Sequence, residues 1–231
     1  MKCKGFIAYN SHFRFHISDF TPVVDIIKKY FPELSAAQLA QLAQLAELYK
    51  EWNGKINVIS RKDIDNVIEH HILHSLAIAK AIQFEPGTDV LDLGTGGGLP
   101  GIPLAIYFED VFFTCIDSRK KKAYVTQEIV KALQLTNCIA LQQRAEEFKE
   151  KFDFVVCRAV APIDKLKAWT EHLIKKDHAN PLPNGILALK GGNPKSEIKL
   201  LPQYEFTEIY ELSDYFDLEY YQEKYLMYLQ M

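Results

Sequence analysis

The chain has 231 residues, of which 48% are hydrophobic and 25% are charged, and its formal net charge is −3. This balance is typical of a soluble globular protein, and a chain of this length buries its core without disulfide bridges. Four cysteines without a CxxC pair argue against zinc, and no apolar run approaches the ~18 residues of a membrane span, so we expect a cytoplasmic protein with no membrane and no metal.

The first third of the chain is predicted to be helical. Residues 1–18 contain basic residues but no continuous apolar region, so we interpret them as a disordered extension or an artefact of the assumed start codon, and not as a signal peptide. Residues 19–53 are predicted to be helical, with leucines three apart and Ser35 as a candidate N-cap, and residues 63–83 are predicted to form a further helix. We assign residues 19–85 to an N-terminal helical segment.

From residue 86 onward, short apolar runs alternate with helix-like stretches. The predicted strands are residues 89–93, 111–116, 138–141, 154–157 and 185–190. Strands that alternate with helices form βαβ crossovers, which predicts a Rossmann-like α/β fold with a mostly parallel, doubly wound sheet. Residues 208–212 and 224–229, separated by a short polar loop, predict a hairpin-like pair at one edge. We assign residues 86–231 to this domain.

A glycine-rich turn directly follows the first predicted strand. Asp92, Gly94 and Gly96 form an Asp-x-Gly-x-Gly pattern that resembles the first motif of class I S-adenosylmethionine-dependent methyltransferases. Glycines let the backbone approach a ligand at the carboxyl end of a sheet. Gly96, Gly98 and Gly101 also match the dinucleotide fingerprint, so a dinucleotide-binding oxidoreductase remains an alternative. The candidate cofactor contacts in the turn are Asp92, Gly94, Thr95 and Gly96.

Two later strand ends supply further candidate cofactor contacts. Asp117 ends the second predicted strand, 23 residues after Gly94, where a carboxylate can accept hydrogen bonds from both ribose hydroxyls. Ala145 and Glu146 follow the third strand, where their backbone N–H groups could meet an adenine ring. An acidic residue at a strand end serves NAD enzymes equally, and a helix-capping role remains the alternative at all three positions.

The loop after the fourth strand lacks the usual catalytic patterns. It contains no Asn/Asp-Pro-Pro-aromatic motif for exocyclic amines, and Cys157 ends an apolar run, so we interpret it as buried and not as a nucleophile. With those two kinds of target excluded, the remaining one is an atom with a free lone pair, such as guanine N7. For such an atom, catalysis needs only alignment of the lone pair with the methyl group. Arg158 is the best-placed polar residue, either positioning cofactor or substrate or forming a structural ion pair.

Several stretches together resemble one family. They are 57–60 (Asn-Val-Ile-Ser), 70–76 (His-His-Ile-Leu-His-Ser-Leu), 92–103 (Asp-Leu-Gly-Thr-Gly-Gly-Gly-Leu-Pro-Gly-Ile-Pro), 117–121 (Asp-Ser-Arg-Lys-Lys), 144–146 (Arg-Ala-Glu), 158–161 (Arg-Ala-Val-Ala) and 189–192 (Leu-Lys-Gly-Gly). In order and spacing they resemble the bacterial 16S rRNA guanine-N7 methyltransferases of the RsmG family, also called GidB. The resemblance implies S-adenosylmethionine as cofactor and a guanine in the 530 loop of 16S rRNA as target. It also implies cofactor contacts at Gly94, Leu99, Ala145, Glu146 and Arg158.

The sequence departs from this family in one motif. The family pattern Arg-His-x-x-Asp-Ser is replaced here by His70, His71, His74 and Ser75. His71 therefore joins Arg158 as a candidate positioning residue. His70 and His74 lie one helical turn apart, a spacing that suits zinc, but no third ligand is in view and we expect no metal. A packing or capping role and a place near substrate or cofactor both remain open for these histidines.

The charge distribution permits an RNA partner. Residues 201–231 hold seven acidic residues and one lysine, so residues 1–200 carry a net charge of +3. We expect 16S rRNA or the 30S subunit as partner of a monomeric enzyme, and the loop around Lys190 and Lys195 as the foremost RNA contact. Other basic candidates are Lys55, Arg61, Lys62, residues 119–122, Lys165 and Lys167. A methyltransferase acting on a small molecule or protein, and a non-catalytic nucleotide-sensing module, remain alternatives.

Overall fold

The structure is a computed structural model that describes residues 21–231, with side chains from residue 25 onward. The extension predicted for residues 1–18 lies outside the described residues. Helix α1 spans Thr21–Tyr30 and helix α2 spans Ala36–Lys55, so the continuous helix predicted over residues 19–53 is wrong. The break follows from Pro32, because the residue before a proline is disfavoured in the helical conformation.

Helix α2 begins with a reciprocal capping box. The backbone N–H of Gln38 donates to the Ser35 hydroxyl at 3.2 Å, and the N–H of Ser35 donates to the Gln38 side chain at 2.9 Å. The predicted N-cap is therefore confirmed. Leu39, Leu42 and Leu45 are buried, so the leucine-rich face of the helix contributes to the core as their spacing predicts.

The second predicted helical region is helical but irregular. It consists of a 3₁₀ turn Ile64–Asn66, a π-helix Val67–Leu73 and the short helices α3 (His74–Leu76) and α4 (Ile78–Ala81). A π-helix has a wider turn than an α-helix, and such segments are frequent at functional sites. Its histidines lie against the cavity described below.

The rest of the chain forms a seven-stranded sheet in the order β3-β2-β1-β4-β5-β7-β6. Strand β7 is antiparallel to both of its neighbours and all other pairs are parallel, which confirms the predicted mostly parallel Rossmann-like fold. The strands are β1 Asp89–Leu93, β2 Phe112–Asp117, β3 Cys138–Gln142, β4 Phe154–Arg158, β5 Gly185–Gly191, β6 Thr207–Glu211 and β7 Lys224–Gln230. The helices between them are α5 Gly101–Tyr107, α6 Lys120–Ala132, α7 Ile163–Thr170 and α8 Pro194–Ile198.

Both faces of the sheet are covered. Helices α1, α2, α5 and α6 share one core with one face, while α7 shares a second core with the other face. Cys115, Cys138 and Cys157 are free and buried, as expected from their apolar strands. Within residues 21–231, no helix is both long enough and apolar enough to cross a membrane.

The connection between β6 and β7 differs from the short polar loop predicted from the sequence. It contains two 3₁₀ turns, Leu212–Asp214 and Glu219–Tyr221, and buries the side chains of Leu212, Phe216 and Tyr221. The ring of Phe216 packs against Tyr30 of α1 with centroids 4.9 Å apart. The connection therefore folds back onto the N-terminal helices, near the carboxyl end of β4.

Candidate active site

The turn after β1 forms a cradle of backbone atoms. Gly94, Gly96 and Gly98 have φ angles of +67°, +62° and +103°, which favour glycine. The N–H of Thr95 donates to a carbonyl near the end of β2 at 2.9 Å, which holds the turn against the sheet. A Cβ on Gly94 would lie 2.9 Å from the side chain of Val160, so a larger residue would crowd the loop after β4.

Asp92 holds this turn from below. Its side chain is fully buried, and Oδ2 accepts hydrogen bonds from the Thr95 hydroxyl and, at 2.8 Å, from the Gly101 N–H at the start of α5. Burial raises the pKa of Asp92 to about 6. Its other oxygen, Oδ1, is buried and has no partner among the described residues. Asp92 thus offers one unused acceptor beneath the turn.

Asp117 links the turn to the end of β2. Its Oδ2 accepts from the Gly96 N–H at 3.1 Å, and its Oδ1 accepts from the Arg119 N–H at 2.8 Å. Because a carboxylate has about four acceptor positions, two remain for a ligand's hydroxyl groups. The position therefore suits the predicted role, although the carboxylate also fixes the turn.

A cavity of about 660 Å³ opens above the turn. Six of the predicted site residues line it: Gly94, Thr95, Gly96, Leu99, His71 and Arg158. Asp92 and Asp117 lie outside the lining, below and beside the turn. Ala145 is buried and Glu146 is exposed in the 3₁₀ turn Ala145–Glu147, and neither lines the cavity. The structure thus brings the glycine turn, Arg158 and His71 together and leaves the predicted adenine contacts apart.

Arg158 leaves the end of β4 and reaches the π-helix. Its Nη1 donates to the His70 carbonyl at 3.2 Å, and burial lowers the pKa of Arg158 from its ordinary value. The described residues place no carboxylate within ion-pair distance of the guanidinium, so the structural ion pair considered as an alternative is not found among them. Its remaining donors are available to a ligand.

The histidines are held by a carboxylate that the sequence analysis did not single out. Asp63 lies 2.6 Å from His70 Nδ1 and 2.7 Å from His71 Nε2. Burial, and then the charge of Arg158, lower the pKa of His71 to about 4, so its ring is neutral at pH 7 and donates through Nε2. Residues 21–231 contain no group of three or more side chains arranged to hold a metal ion.

Lysines give the cavity a positive lining. Lys122, Lys190 and Lys224 line it together with Arg158, against one carboxylate, Glu197. Lys190 pairs with Glu197 at 2.8 Å, and Glu197 also accepts from the backbone N–H that begins α7 at 2.9 Å. The acid is therefore occupied, and the cationic side chains of the lining suit anionic groups such as phosphates or a ligand's carboxylate, although the whole chain is negative.

These features fit S-adenosylmethionine. The cofactor has no pyrophosphate, so a glycine cradle without a phosphate-binding helix suits it, and the carboxylate of its methionine end suits the cationic lining of the cavity. Asp117 stands where ribose hydroxyls would need an acceptor.

Comparison with known sequences decides the family. The family described as "GidB: rRNA small subunit methyltransferase G" matches residues 38–219. The chain belongs to this family. Membership confirms the resemblance found in the sequence, the S-adenosylmethionine cofactor and the class of enzyme, an rRNA methyltransferase. It gives no support to the dinucleotide-binding oxidoreductase.

Curated relatives agree with this family, and a solved structure shares the fold. The ribosomal RNA small subunit methyltransferase G of Flavobacterium johnsoniae is 50% identical over 206 residues, covering 89% of this chain and 97% of that protein. The protein of the same name from Bacteroides thetaiotaomicron is 50% identical over 208 residues, covering 90% and 100%. A SAM-dependent methyltransferase from Aquifex aeolicus has the same fold, with a TM-score of 0.50 and 18% identity over 71% of this chain and 92% of that chain.

Two side chains were not predicted from the sequence, Tyr220 in the cavity lining and Asp63, which holds the histidines beside it. Asp63 carried no signal beyond its charge, because its partners lie seven and eight residues away on an irregular helix. Tyr220 lies in the connection predicted to be a polar loop, yet it lines the cavity 150 residues from His70, whose carbonyl accepts its hydroxyl at 3.2 Å. A dense run of tyrosines in that connection was the available signal.

Proposed function

We propose that this member of the rRNA small subunit methyltransferase G family methylates N7 of a guanine in the 530 loop of 16S rRNA, as a cytoplasmic monomer. The observation that carries the choice of atom is a cavity lined by cations, where Glu197 is paired with Lys190 and burial lowers the pKa of His71 and His74, so that both rings are weak bases. Guanine N7 has a lone pair and no proton to remove, so it needs alignment more than acid–base chemistry.

The side chains around the cavity support a nucleophile that needs no activation. Burial raises the pKa of Cys157 to about 12, so it supplies no thiolate at neutral pH. His71 donates through Nε2 to Asp63, and Glu197 is occupied by Lys190. The paired Glu197 and the low pKa of His71 disfavour a target atom that must lose a proton, and the high pKa of Cys157 disfavours covalent catalysis through cysteine.

When bound, S-adenosylmethionine supplies an electrophilic methyl group on a sulfonium. In this proposal the backbone of Gly94, Thr95 and Gly96 and the side chain of Leu99 enclose the cofactor. Asp117 accepts hydrogen bonds from its ribose, and the Asp92 carboxylate orients its amino end. The N–H groups of Ala145 and Glu146, which open a 3₁₀ turn, approach the adenine.

The remaining residues hold the substrate. Arg158 and His71 position the base or the cofactor, and the lysines around the cavity neutralise phosphates of the RNA. The helical segment 19–85 contributes Val58 and His71 to the cavity lining, so we assign it to closing the site over the methyltransferase domain 86–231. We expect 16S rRNA within the 30S subunit as the partner.

The test uses 30S particles that lack the modification. The protein is incubated with these particles and S-adenosylmethionine labelled in its methyl group, and the product is mapped by strand cleavage at N7-methylguanine. One labelled guanine in the 530 loop supports the proposal. Label at another atom or region, or label on protein or small molecules alone, contradicts it. The control is Gly94→Val, which places a branched side chain in the cradle and should abolish labelling.

A further inference from the structure

The ring of Tyr220 is fixed at the wall of the cavity. It stacks on the imidazole of His70 with centroids 3.9 Å apart and planes 11° from parallel. Its hydroxyl donates to the His70 carbonyl at 3.2 Å, and the rings of His74 and Tyr221 meet it edge to face at 5.6 Å and 5.2 Å. Four contacts thus hold this side chain in a single orientation at the cavity.

The second face of this ring carries a displaceable group. Because His70 covers one face, the ammonium of Lys224, 4.6 Å from the ring centroid, lies over the other. Lys224 also lines the cavity, and the described residues give its ammonium no carboxylate partner. A lysine on a flexible stem can leave the ring when another flat or cationic group arrives, and it can then pair with a phosphate.

We propose that Tyr220 is the platform on which the target guanine stacks, with His70 and His74 holding the ring in place. This inference rests on the proposed function, because it takes the substrate to be a base that becomes cationic. Nucleic-acid bases taken out of a strand commonly stack on aromatic side chains. Methyl transfer to N7 leaves the purine positively charged, and the face of a phenol ring attracts cations.

The same arrangement gives a role to the two histidines at which the chain departs from its family pattern. His70 provides the parallel ring behind Tyr220, and His74 provides the edge contact and lies 3.4 Å from the Tyr220 hydroxyl through Nδ1. Burial lowers the pKa of His74 well below its ordinary value, so this ring adds no positive charge to repel the methylated base. Both histidines act here as positioning residues.

The first test compares Tyr220→Leu with the matched control Tyr220→Phe. Methylation of 30S particles by Tyr220→Leu should fall about 10- to 100-fold in kcat/KM, the loss expected when one base–aromatic stack is removed. Tyr220→Phe should keep most of the activity, and both variants should bind S-adenosylhomocysteine as the wild type does. Equal kcat/KM for the two variants would overturn the inference, whereas absence of guanine methylation by the wild type would overturn the proposed function instead.

The second test measures binding to the wild-type protein, and the conservative variant Tyr220→Phe serves only to assign the Tyr220 signal. The complex with S-adenosylhomocysteine is titrated with 7-methylguanosine 5′-monophosphate while the ring protons of labelled tyrosines are followed by NMR. The Tyr220 signal, identified by its loss in Tyr220→Phe, should move upfield, and guanosine 5′-monophosphate should bind more weakly. A Tyr220 signal that does not move at saturation, or equal affinity for the two nucleotides, would contradict the proposal.

Discussion

The guanidinium of Arg158 donates a hydrogen bond to the backbone carbonyl of His70, with 3.2 Å between the two atoms. The same carbonyl accepts the hydroxyl of Tyr220 at 3.2 Å. His70 lies in the π-helix Val67–Leu73, and its carbonyl accepts hydrogen bonds from two side chains in distant parts of the chain. One backbone atom therefore joins the end of β4, the N-terminal segment and the connection before β7 at the cavity wall.

Substitution of Arg158 by methionine should lower the methylation activity without lowering the free energy of unfolding. Methylation should fall about 10- to 100-fold, because a charge-assisted hydrogen bond is worth about 1.5–3 kcal/mol. The free energy of unfolding should stay the same or rise, since the variant removes a largely buried charge that has no carboxylate partner among the described residues. Activity and urea unfolding would be measured together, with the exposed Lys131→Met as control. A stability loss that matches the activity loss would assign Arg158 a structural role.

Asp92 should make the stability of the protein depend on pH. Its buried carboxyl has a pKa raised from 3.8 to about 6, so the stabilisation it gives is complete below pH 3.8 and is lost as pH rises through about 6. Relative to the wild type, Asp92→Asn should gain up to roughly 3 kcal/mol between about pH 4 and about pH 7.

Urea unfolding at several pH values measures this difference. The exposed Asp110→Asn serves as the control, and its difference from the wild type should change much less, because solvent screens an exposed charge. If the difference between Asp92→Asn and the wild type stays constant with pH, the carboxyl ionises as it does in water and the raised pKa is wrong.

Substitution by alanine should have opposite effects on stability at two helical glycines, Gly101 and Gly54. A Cβ on Gly101 would lie 2.5 Å from Cys115 Sγ and 2.7 Å from Asp92 Oδ2, whereas a Cβ on Gly54 would meet nothing within 4 Å. Gly101→Ala should destabilise by about 1–3 kcal/mol, as overpacked cores do. Gly54→Ala, in an exposed turn of α2, should stabilise by about 0.5–1 kcal/mol. Thermal and urea unfolding would show both shifts, and a neutral Gly101→Ala would contradict the close packing beneath the turn.

Regular elements with strong local patterns were predictable from the sequence. Strand β1 has the bounds predicted for it, because its Val and Leu run ends in glycines. The glycine turn was placed correctly for the same reason. Strands β3 to β5 each extend one residue beyond the prediction, and β2 is shifted by one residue at both ends. The carboxyl ends of parallel strands lie at one edge of the sheet. The residues that directly follow each strand can therefore be assigned to that edge from the sequence alone.

The cavity wall could not be predicted in the same way, because it depends on contacts between distant segments. The partners His70 and Tyr220 are 150 residues apart, and no local pattern specifies their stacking. The prediction of one helix over residues 19–53 was wrong because Pro32 disfavours the helical conformation of the residue before it. The prediction of a polar loop before β7 was wrong because it rested on the acidic residues, which are exposed. Phe216 lies among them and is buried by tertiary packing.

If guanine N7 is the target, as we propose, the rate of methyl transfer should be independent of pH between about pH 7 and about pH 9, because that atom carries no proton to remove. His71 is the side chain at the cavity that could serve as a base, and the groups facing it are Asp63, His70, His74 and Arg158. Burial and the charge of Arg158 lower its pKa to about 4, so it is already neutral throughout this range and its protonation does not change.

The pH dependence can be tested by measuring single-turnover rates on 30S particles across that range with saturating cofactor. A flat profile is expected for the wild type and for His71→Gln, which remains neutral at every pH. Arg158 stays protonated throughout, so it introduces no inflection of its own. A rate that climbs tenfold per pH unit in both proteins would show that the substrate must lose a proton before it is methylated, because neutral His71 cannot cause such a slope. The methylated atom would then be one that carries hydrogen, and guanine N7 would be the wrong target.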